Sequence, residues 1–137
     1  MDRRLALALS ITDVLFIAYW ALAGAEQAGL VAVPKAWMYA GFDSPRVVAW
    51  NWSFLPIDLA FSATGLLAVR AARRGDPLWR PLSLISLVLT MVAGVMAVGY
   101  WALLGEFDPA WFLPNLALLL WPLAFLPRIV CDLGRPG

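Results

Sequence analysis

Four long apolar stretches constrain the fold of this chain more than any other feature of its sequence. They cover about residues 5–25, 47–69, 82–104 and 111–130. Each approaches the roughly 20 residues that an α-helix needs to cross about 30 Å of hydrocarbon. The composition supports the same interpretation, because 63% of the 137 residues are hydrophobic and 14% are charged, whereas soluble domains average about 45–50% and 25%. We therefore expect a single all-α domain that crosses the cell membrane four times.

The composition also excludes several classes of function. A formal net charge of +1 provides no basic face for nucleic acid. The chain contains no His and one Cys, so it lacks the ligands of the usual zinc sites and cannot form an intrachain disulfide. Mechanisms that use a Cys–His pair are excluded for the same reason, because the chain contains no His. We expect no metal and no cofactor, and we expect membrane lipid as a partner.

The basic residues predict how the four stretches are oriented. Lys35 and Arg46 fall on one side of the predicted spans. The other basic residues fall on the opposite side, and they are Arg3, Arg4, Arg70, Arg73, Arg74, Arg80, Arg128 and Arg135. Because cytoplasmic loops carry an excess of Lys and Arg, this asymmetry places both termini in the cytoplasm. Consecutive helices joined by short loops pack as antiparallel neighbours, so the sequence predicts an integral membrane four-helix antiparallel bundle.

The second apolar stretch carries an amide, an acid and a proline. At helical spacing Asn51, Asp58 and Gly65 fall on one stripe, which also contains Leu55 and Ser62. A carboxylate at bilayer depth is costly, so Asp58 is expected to face the interior of the bundle. By the same reasoning it marks a functional site.

Prolines and one glycine predict local features of three spans. Pro56 is expected to remove a hydrogen bond inside the second helix and to kink it just before Asp58. Pro122 is expected to interrupt the fourth helix in the same way. Pro114 is placed in the first turn of that helix, where its missing N–H costs little. Gly94 and its small neighbours should let the third helix approach another helix closely.

Three polar side chains are predicted to share one depth. At about 1.5 Å per residue, Asp13 and Thr90 lie roughly 12 Å above the cytoplasmic face, and Asp58 lies roughly 14 Å above it. Asp13 and Asp58 are therefore the candidate catalytic residues, and Thr90 is a candidate ligand-binding residue. No Arg or Lys lies within a span to act as a counter-ion, which favours protonated acids. The alternative is that the acids only join helices through hydrogen bonds.

Aromatic and amide side chains form a second predicted layer, nearer the outer face. The candidate ligand-binding residues in this layer are Trp20, Asn51, Trp52, Tyr100 and Asn115. An aromatic belt at the level of the lipid headgroups is the alternative for the rings. Hydrogen bonds between helices are the alternative for the two amides.

Several of these residues also carry a family resemblance. The matching segments are Thr12-Asp13, Tyr19-Trp20, Val48-Ala49-Trp50-Asn51-Trp52-Ser53-Phe54 with Pro56 and Asp58, residues 83–90, Phe107-Asp108, Trp111, Pro114-Asn115-Leu116 and Phe125-Leu126-Pro127. Over nearly its whole length the chain resembles the YvaD-like family of small bacterial membrane proteins. The resemblance implies a four-helix protein of the bacterial inner membrane, and the family carries no established activity. The segment Leu55-Pro56-Ile57-Asp58 is also similar, by analogy only, to the acidic motif of membrane-embedded terpenoid and carotenoid cyclases.

Three functional hypotheses follow from these residues. The first is a mid-membrane pocket, acidic and aromatic, for a lipid-soluble small molecule; if it is an enzyme, a protonated acid would promote isomerisation or cyclisation. The second is a small proton-coupled transporter or exporter that uses Asp58 or Asp13. It requires a homo-oligomer, because four helices do not easily enclose a pathway. The third is a non-catalytic membrane partner protein in which both acids are structural.

Overall fold

The computed structural model describes residues 1–35, 38–39 and 41–134, and these ranges contain helices and no strand. The described residues form six α-helices in chain order: α1 (Arg3–Gln27), α2 (Pro45–Trp52), α3 (Leu55–Arg73), α4 (Trp79–Leu104), α5 (Pro109–Leu120) and α6 (Leu126–Leu133). A short 3-10 helix, Trp121–Ala124, joins α5 to α6. The all-helical fold class predicted from the sequence is confirmed.

Within the part of the chain that the structure describes, four helical segments are long and apolar enough to cross a membrane: α1, α2 together with α3, α4, and the segment Pro109–Leu133. They correspond one to one with the four predicted stretches. Each is a few residues longer than its prediction at both ends, except that α4 ends at Leu104 as predicted. Hydropathy located these segments but underestimated their lengths. The reason is that polar residues such as Arg3 and Arg73 lie in the terminal helical turns.

Local capping residues define several of the helix ends. The side chain of Asp2 accepts a hydrogen bond from the backbone N–H of Arg4 at 2.8 Å and caps the start of α1. Asp108 caps α5 in the same way, through the N–H of Ala110 at 2.9 Å. Both contacts satisfy an N–H that the first helical turn leaves without a partner. Gly105 ends α4 with φ of +68°, a conformation that costs glycine little.

The long segments pack in chain order. Helix α1 packs on α3, α3 packs on α4, and α4 packs on both α5 and α6. One buried cluster joins Leu9 of α1 to Ala68 near the end of α3 and to Ile129 of α6. A second cluster joins Trp20, later in α1, to Phe61 near the start of α3. The start of α1 thus lies beside the end of α3, and the later part of α1 lies beside the start of α3.

These two clusters define the two ends of the molecule. We call the end with Leu9 and Ile129 the arginine end, because the termini of α1, α3, α4 and α6 that meet there carry Arg3, Arg4, Arg70, Arg73, Arg80 and Arg128. Arg135 lies outside the described residues. We call the end with Trp20 the aromatic end.

The second predicted span is two helices, which changes the role of Pro56. The helical hydrogen bonding is interrupted at Ser53 and Phe54, and α3 starts again at Leu55. Pro56 thus occupies the first turn of α3, where an N–H would have no intrahelical partner in any case. The predicted kink inside one continuous helix is wrong. The break lies earlier, where the hydroxyl of Ser53 donates to the carbonyl of Trp50 at 2.6 Å.

Two prolines divide the fourth span differently from the prediction. Because α5 begins at Pro109, Pro114 lies inside this helix, and the prediction that it occupies the first turn is wrong. Pro114 cannot donate the α-helical hydrogen bond to the carbonyl of Ala110. Pro122 interrupts the helix as predicted, since residues 121–124 form the 3-10 segment between α5 and α6.

Helix α4 approaches α5 closely at Gly94. A Cβ at this position would lie 2.7 Å from the backbone nitrogen of Leu119 and 2.8 Å from the carbonyl oxygen of Asn115. Both atoms belong to the backbone of α5, so no side-chain rotation can make room for a methyl group. The predicted close approach through this glycine is confirmed.

We therefore expect Gly94→Ala to separate α4 from α5 and to lower the free energy of unfolding by about 1–3 kcal/mol, the usual cost of an overpacked site. Gly99→Ala in the same helix is the matched control, because a Cβ there meets nothing within 4 Å. Its effect should be small or stabilising, since alanine favours the helix by up to about 1 kcal/mol. Unfolding in detergent with increasing SDS measures both variants. Equal stability of the two would show that the close approach is absent.

We expect Pro56→Ala to change the free energy of unfolding by less than about 1 kcal/mol, because the N–H it restores lies in the first turn of α3. The same unfolding assay measures it. A clear gain in stability would instead indicate that α2 and α3 join into one helix once the proline is removed.

Candidate functional site

A cavity of about 510 Å³ lies between α1 and α5. These two helices do not pack closely on each other, because α5 is held by α4 and α1 is held by α3. We call it the lateral cavity. Its lining includes Ile11, Leu15, Phe16, Tyr19 and Trp20 of α1, Asn51 of α2, Asp58 of α3, Ala93 and Trp101 of α4, and Trp111, Pro114, Asn115 and Ala117 of α5.

The lateral cavity opens sideways, between the middles of two apolar helices. Ile11 and Leu15 of α1 are 58% and 62% exposed, and Pro114 and Ala117 of α5 are also exposed. All four line the cavity. The mouth of the cavity is therefore apolar, and it lies on the outer surface of the protein between α1 and α5.

Asp58 is the acidic group of the lateral cavity. Its side chain is 3% exposed, and its Oδ2 accepts a hydrogen bond from the indole N–H of Trp20 at 2.9 Å. Its Oδ1 is buried and has no hydrogen-bond partner among the described residues. Trp20 thus holds the carboxyl group through one oxygen, while the other oxygen makes no hydrogen bond to the described part of the protein.

Two amides line the same cavity, and each already has a partner within the protein. The Oδ1 of Asn51 accepts from the hydroxyl of Tyr19 at 3.2 Å, which joins α2 to α1. The Nδ2 of Asn115 donates to the carbonyl of Trp111 in its own helix at 2.7 Å. Asn51 therefore forms the contact between helices that the sequence left as an alternative, whereas Asn115 bonds within α5.

Trp121 is a cavity-lining residue that was not among the candidates predicted from the sequence. It lines the cavity, and its indole N–H is buried without a partner among the described residues. Because it stands directly before Pro122 in the 3-10 segment, its direction depends on a local change of helix type that periodicity does not show. The proline after it was the only signal available in the sequence.

Aromatic rings close the cavity at the aromatic end. The ring centroid of Trp111 lies 6.3 Å from that of Tyr19 and 5.7 Å from that of Tyr39. Burial, with a smaller contribution from the charge of Glu26, raises the pKa of Tyr39 above its ordinary value. Its phenol is therefore neutral near pH 7 and can donate a hydrogen bond.

Two of the predicted aromatic residues do not line the cavity but contact residues that do. The ring of Trp52 lies 5.3 Å from the ring of Trp20, and the ring of Tyr100 stacks on that of Trp50 at 4.1 Å. Trp20 and Trp50 line the cavity, whereas Trp52 and Tyr100 do not. Trp52 and Tyr100 are thus placed to support the walls.

Asp13 occupies a separate, sealed position. Its side chain is 0% exposed and is not part of the cavity lining. It lies against Gly65 of α3, where a Cβ would overlap its Oδ2 and would lie 2.8 Å from the hydroxyl oxygen of Ser86. Both oxygens of Asp13 and the hydroxyls of Ser62 and Ser86 lack partners among the described residues.

Thr90 also lies outside the cavity lining. Its hydroxyl donates to the carbonyl of Ser86 at 2.8 Å, within its own helix. Of the predicted site residues, the structure therefore brings Trp20, Asn51, Asp58 and Asn115 together around the cavity. It places Asp13, Trp52, Thr90 and Tyr100 elsewhere.

The polar groups of the lateral cavity are a carboxyl group, two amides, indole N–H groups and the hydroxyls of Thr12, Tyr19 and Tyr39. Among the described residues, no three His, Cys, Asp or Glu side chains converge as metal ligands would. A carboxyl group held by an indole N–H can bind a hydroxyl or a carbonyl oxygen. In its neutral form it can also donate a proton.

Comparisons with known proteins agree with the sequence resemblance and add no activity. Residues 5–135 match the model of a family of unknown function, DUF5360. The chain is 39% identical to the uncharacterized protein YvaD of Bacillus subtilis (strain 168) over 133 residues, which cover 97% of this chain and 96% of the relative. No solved structure matches.

The bond between Trp20 and Asp58 can be measured with a double-mutant cycle. We expect Trp20→Phe and Asp58→Ala each to destabilise the protein and to show a coupling of about 0.5–1.5 kcal/mol, the usual range for a buried hydrogen bond and for polar contacts between membrane helices. Trp52→Phe is the control, because this ring contacts Trp20 and no hydrogen bond joins it to Asp58. Its coupling to Asp58→Ala should stay below that of Trp20→Phe. Purely additive effects of Trp20→Phe and Asp58→Ala would contradict the bond.

Proposed function

The chain belongs to this family of unknown function, and from its own geometry we propose that it is a membrane-embedded protein that binds a lipid-soluble small molecule. The observation that carries the proposal is the lateral cavity, in which a buried carboxyl oxygen of Asp58 has no partner within the described residues. A polar atom buried without a partner costs about 1–3 kcal/mol. A ligand that supplies the missing hydrogen bond recovers that cost.

The proposed location is the bacterial inner membrane, with both termini in the cytoplasm. Four segments of sufficient length and apolarity support it. Many of the large apolar side chains along them are exposed, among them Leu7, Leu67, Val95 and Leu120, and a soluble protein seldom exposes so many together. The arginine end then faces the cytoplasm by the positive-inside rule.

The lining defines the class of ligand. Phe16, Trp50 and Trp101 offer apolar and aromatic walls. The Oδ1 of Asp58 and the indole N–H of Trp121 are two polar groups that have no partner among the described residues. The ligand is therefore an apolar skeleton that carries at least one hydroxyl or carbonyl oxygen. It enters from the hydrocarbon of the bilayer, through the mouth between α1 and α5.

Any catalysis in this cavity uses Asp58 as an acid. Because no Lys or Arg lines it, burial favours the neutral carboxylic acid. The neutral acid would donate its proton to a double bond or an oxygen of the ligand and would recover a proton when the product forms. This is the acid-promoted isomerisation or cyclisation expected from the sequence, and the bond from Trp20 to Oδ2 would orient the group.

The experiment uses two probes of similar shape, the alcohol farnesol and the hydrocarbon farnesene. Native mass spectrometry of the detergent-solubilised protein should show that wild type binds farnesol about five- to tenfold more tightly, the value of one buried hydrogen bond. Asp58→Ala should remove this preference. Asp58→Asn should keep binding, and if the protein turns over its natural ligand, should abolish the turnover.

Ser83→Ala is the matched control, because Ser83 is buried at the arginine end, where its hydroxyl donates to the carbonyl of Trp79. It should bind both probes as wild type does. Equal affinity of wild type for farnesol and farnesene, or the same preference in Asp58→Ala, would contradict the proposal.

A proton-coupled exporter is the second candidate, and Asp13 is the observation that favours it. This acid is sealed from the cavity, and its oxygens lie close to the hydroxyl of Ser86 without bonding to it. A buried acid without a partner is a group that an exporter could use to take up and release a proton. The candidate requires an oligomer, so a strictly monomeric protein in chemical cross-linking of native membranes would count against it.

A further inference from the structure

A second cavity, of about 690 Å³, lies at the arginine end. It is distinct from the lateral cavity, with which it shares no lining residue. Three arginines from three different helices line it: Arg4 of α1, Arg80 of α4 and Arg128 of α6. Residues far apart in the sequence thus bring positive charge to one place.

Arg80 is the least solvated of the three arginines. Arg4 and Arg128 are exposed, whereas Arg80 is only partly exposed. Its guanidinium carbon lies 5.0 Å from the centre of the Trp79 ring, a contact that holds the side chain in place. Its Nε is buried and has no partner among the described residues. The Nε–H of Arg80 is therefore a hydrogen-bond donor without an acceptor in the described part of the protein.

Two acids also line the cavity and leave an excess of positive charge. Asp2 accepts the backbone N–H of Arg4 as the cap of α1, and Asp132 lines the cavity from α6. The lining therefore carries three arginine and two aspartate side chains. An anion would balance the excess.

The floor of this cavity is apolar. Leu5 and Ile129 are 2% and 3% exposed and belong to the buried cluster of the arginine end, and both line the cavity beside Phe125. An anion that also carries a hydrocarbon portion can use the arginines and the floor together. A free inorganic anion would contact the arginines and would gain nothing from the apolar floor.

We propose that the cavity at the arginine end binds a phosphate group, either that of an anionic phospholipid or a free phosphate ion. The planar guanidinium fork matches the oxygens of phosphate, and Arg80 supplies an Nε–H donor that has no partner among the described residues. The lipid source relies on the membrane location proposed above and not on ligand binding in the lateral cavity.

The test titrates detergent-solubilised protein with phosphatidylglycerol, with phosphatidylcholine and with inorganic phosphate, and measures bound molecules by native mass spectrometry. Saturable binding of phosphatidylglycerol, tighter than that of phosphatidylcholine, identifies the lipid source. Saturable binding of inorganic phosphate identifies the free ion. In either case Arg80→Gln should weaken binding about tenfold or more, as expected for loss of a charged hydrogen-bond donor.

Arg73→Gln is the matched control, because Arg73 is exposed at the same end and does not line the cavity. It should leave the affinity unchanged. Arg128→Gln provides a second lining variant, so that a failure of Arg80→Gln to fold does not end the test. Equal weakening in Arg73→Gln and in the lining variants would show a diffuse surface charge and would overturn the proposal, as would the absence of saturable binding in wild type.

Discussion

The hydrogen bond from Trp20 to Asp58 is the polar contact on which the site depends. It joins α1 to α3 inside the apolar interior and lies one turn beyond the break between α2 and α3. Without it, α1 would be held to α3 mainly by non-directional apolar packing. With it, one carboxyl oxygen is bound by the protein, and the other is buried without a partner among the described residues.

The lateral cavity exists because α5 packs on α4 and not on α1. At Gly94 the backbones of α4 and α5 approach so closely that no side chain fits between them. Helix α1 packs instead on α3, where Asp13 fills the space over Gly65. Two close contacts on opposite sides therefore leave a gap between α1 and α5, and the fold keeps a cavity although each neighbouring pair is tightly packed.

Much of this architecture could be predicted from the sequence, and the physical reasons are specific. The number and position of the long helices follow from hydropathy alone, because a span of about 20 apolar residues has few other stable structures. The close approach at Gly94 follows from the absence of a side chain. The candidates Trp20, Asn51, Asp58 and Asn115 were found because polar groups are rare in such segments and must have partners.

The rest required three-dimensional information. Asp13, Thr90 and Asp58 share a predicted depth, yet depth along a helix axis does not give direction around it, and the structure places only Asp58 at the cavity. Pro56 and Pro114 were assigned to the wrong helical positions, because each depends on where a helix begins. Helix ends are set by caps such as Asp108, and hydropathy does not detect them. Trp121 was missed because the 3-10 segment redirects it.

The sideways mouth of the lateral cavity determines which concentration governs its occupancy. In the proposed location, the proposed ligand would reach Ile11 and Leu15 from the acyl chains, without passing through water. Occupancy would then follow the mole fraction of the ligand in the bilayer. A weak intrinsic affinity would suffice for a molecule that partitions strongly into lipid, and diluting the protein with extra lipid would empty the cavity even at a constant total amount of ligand.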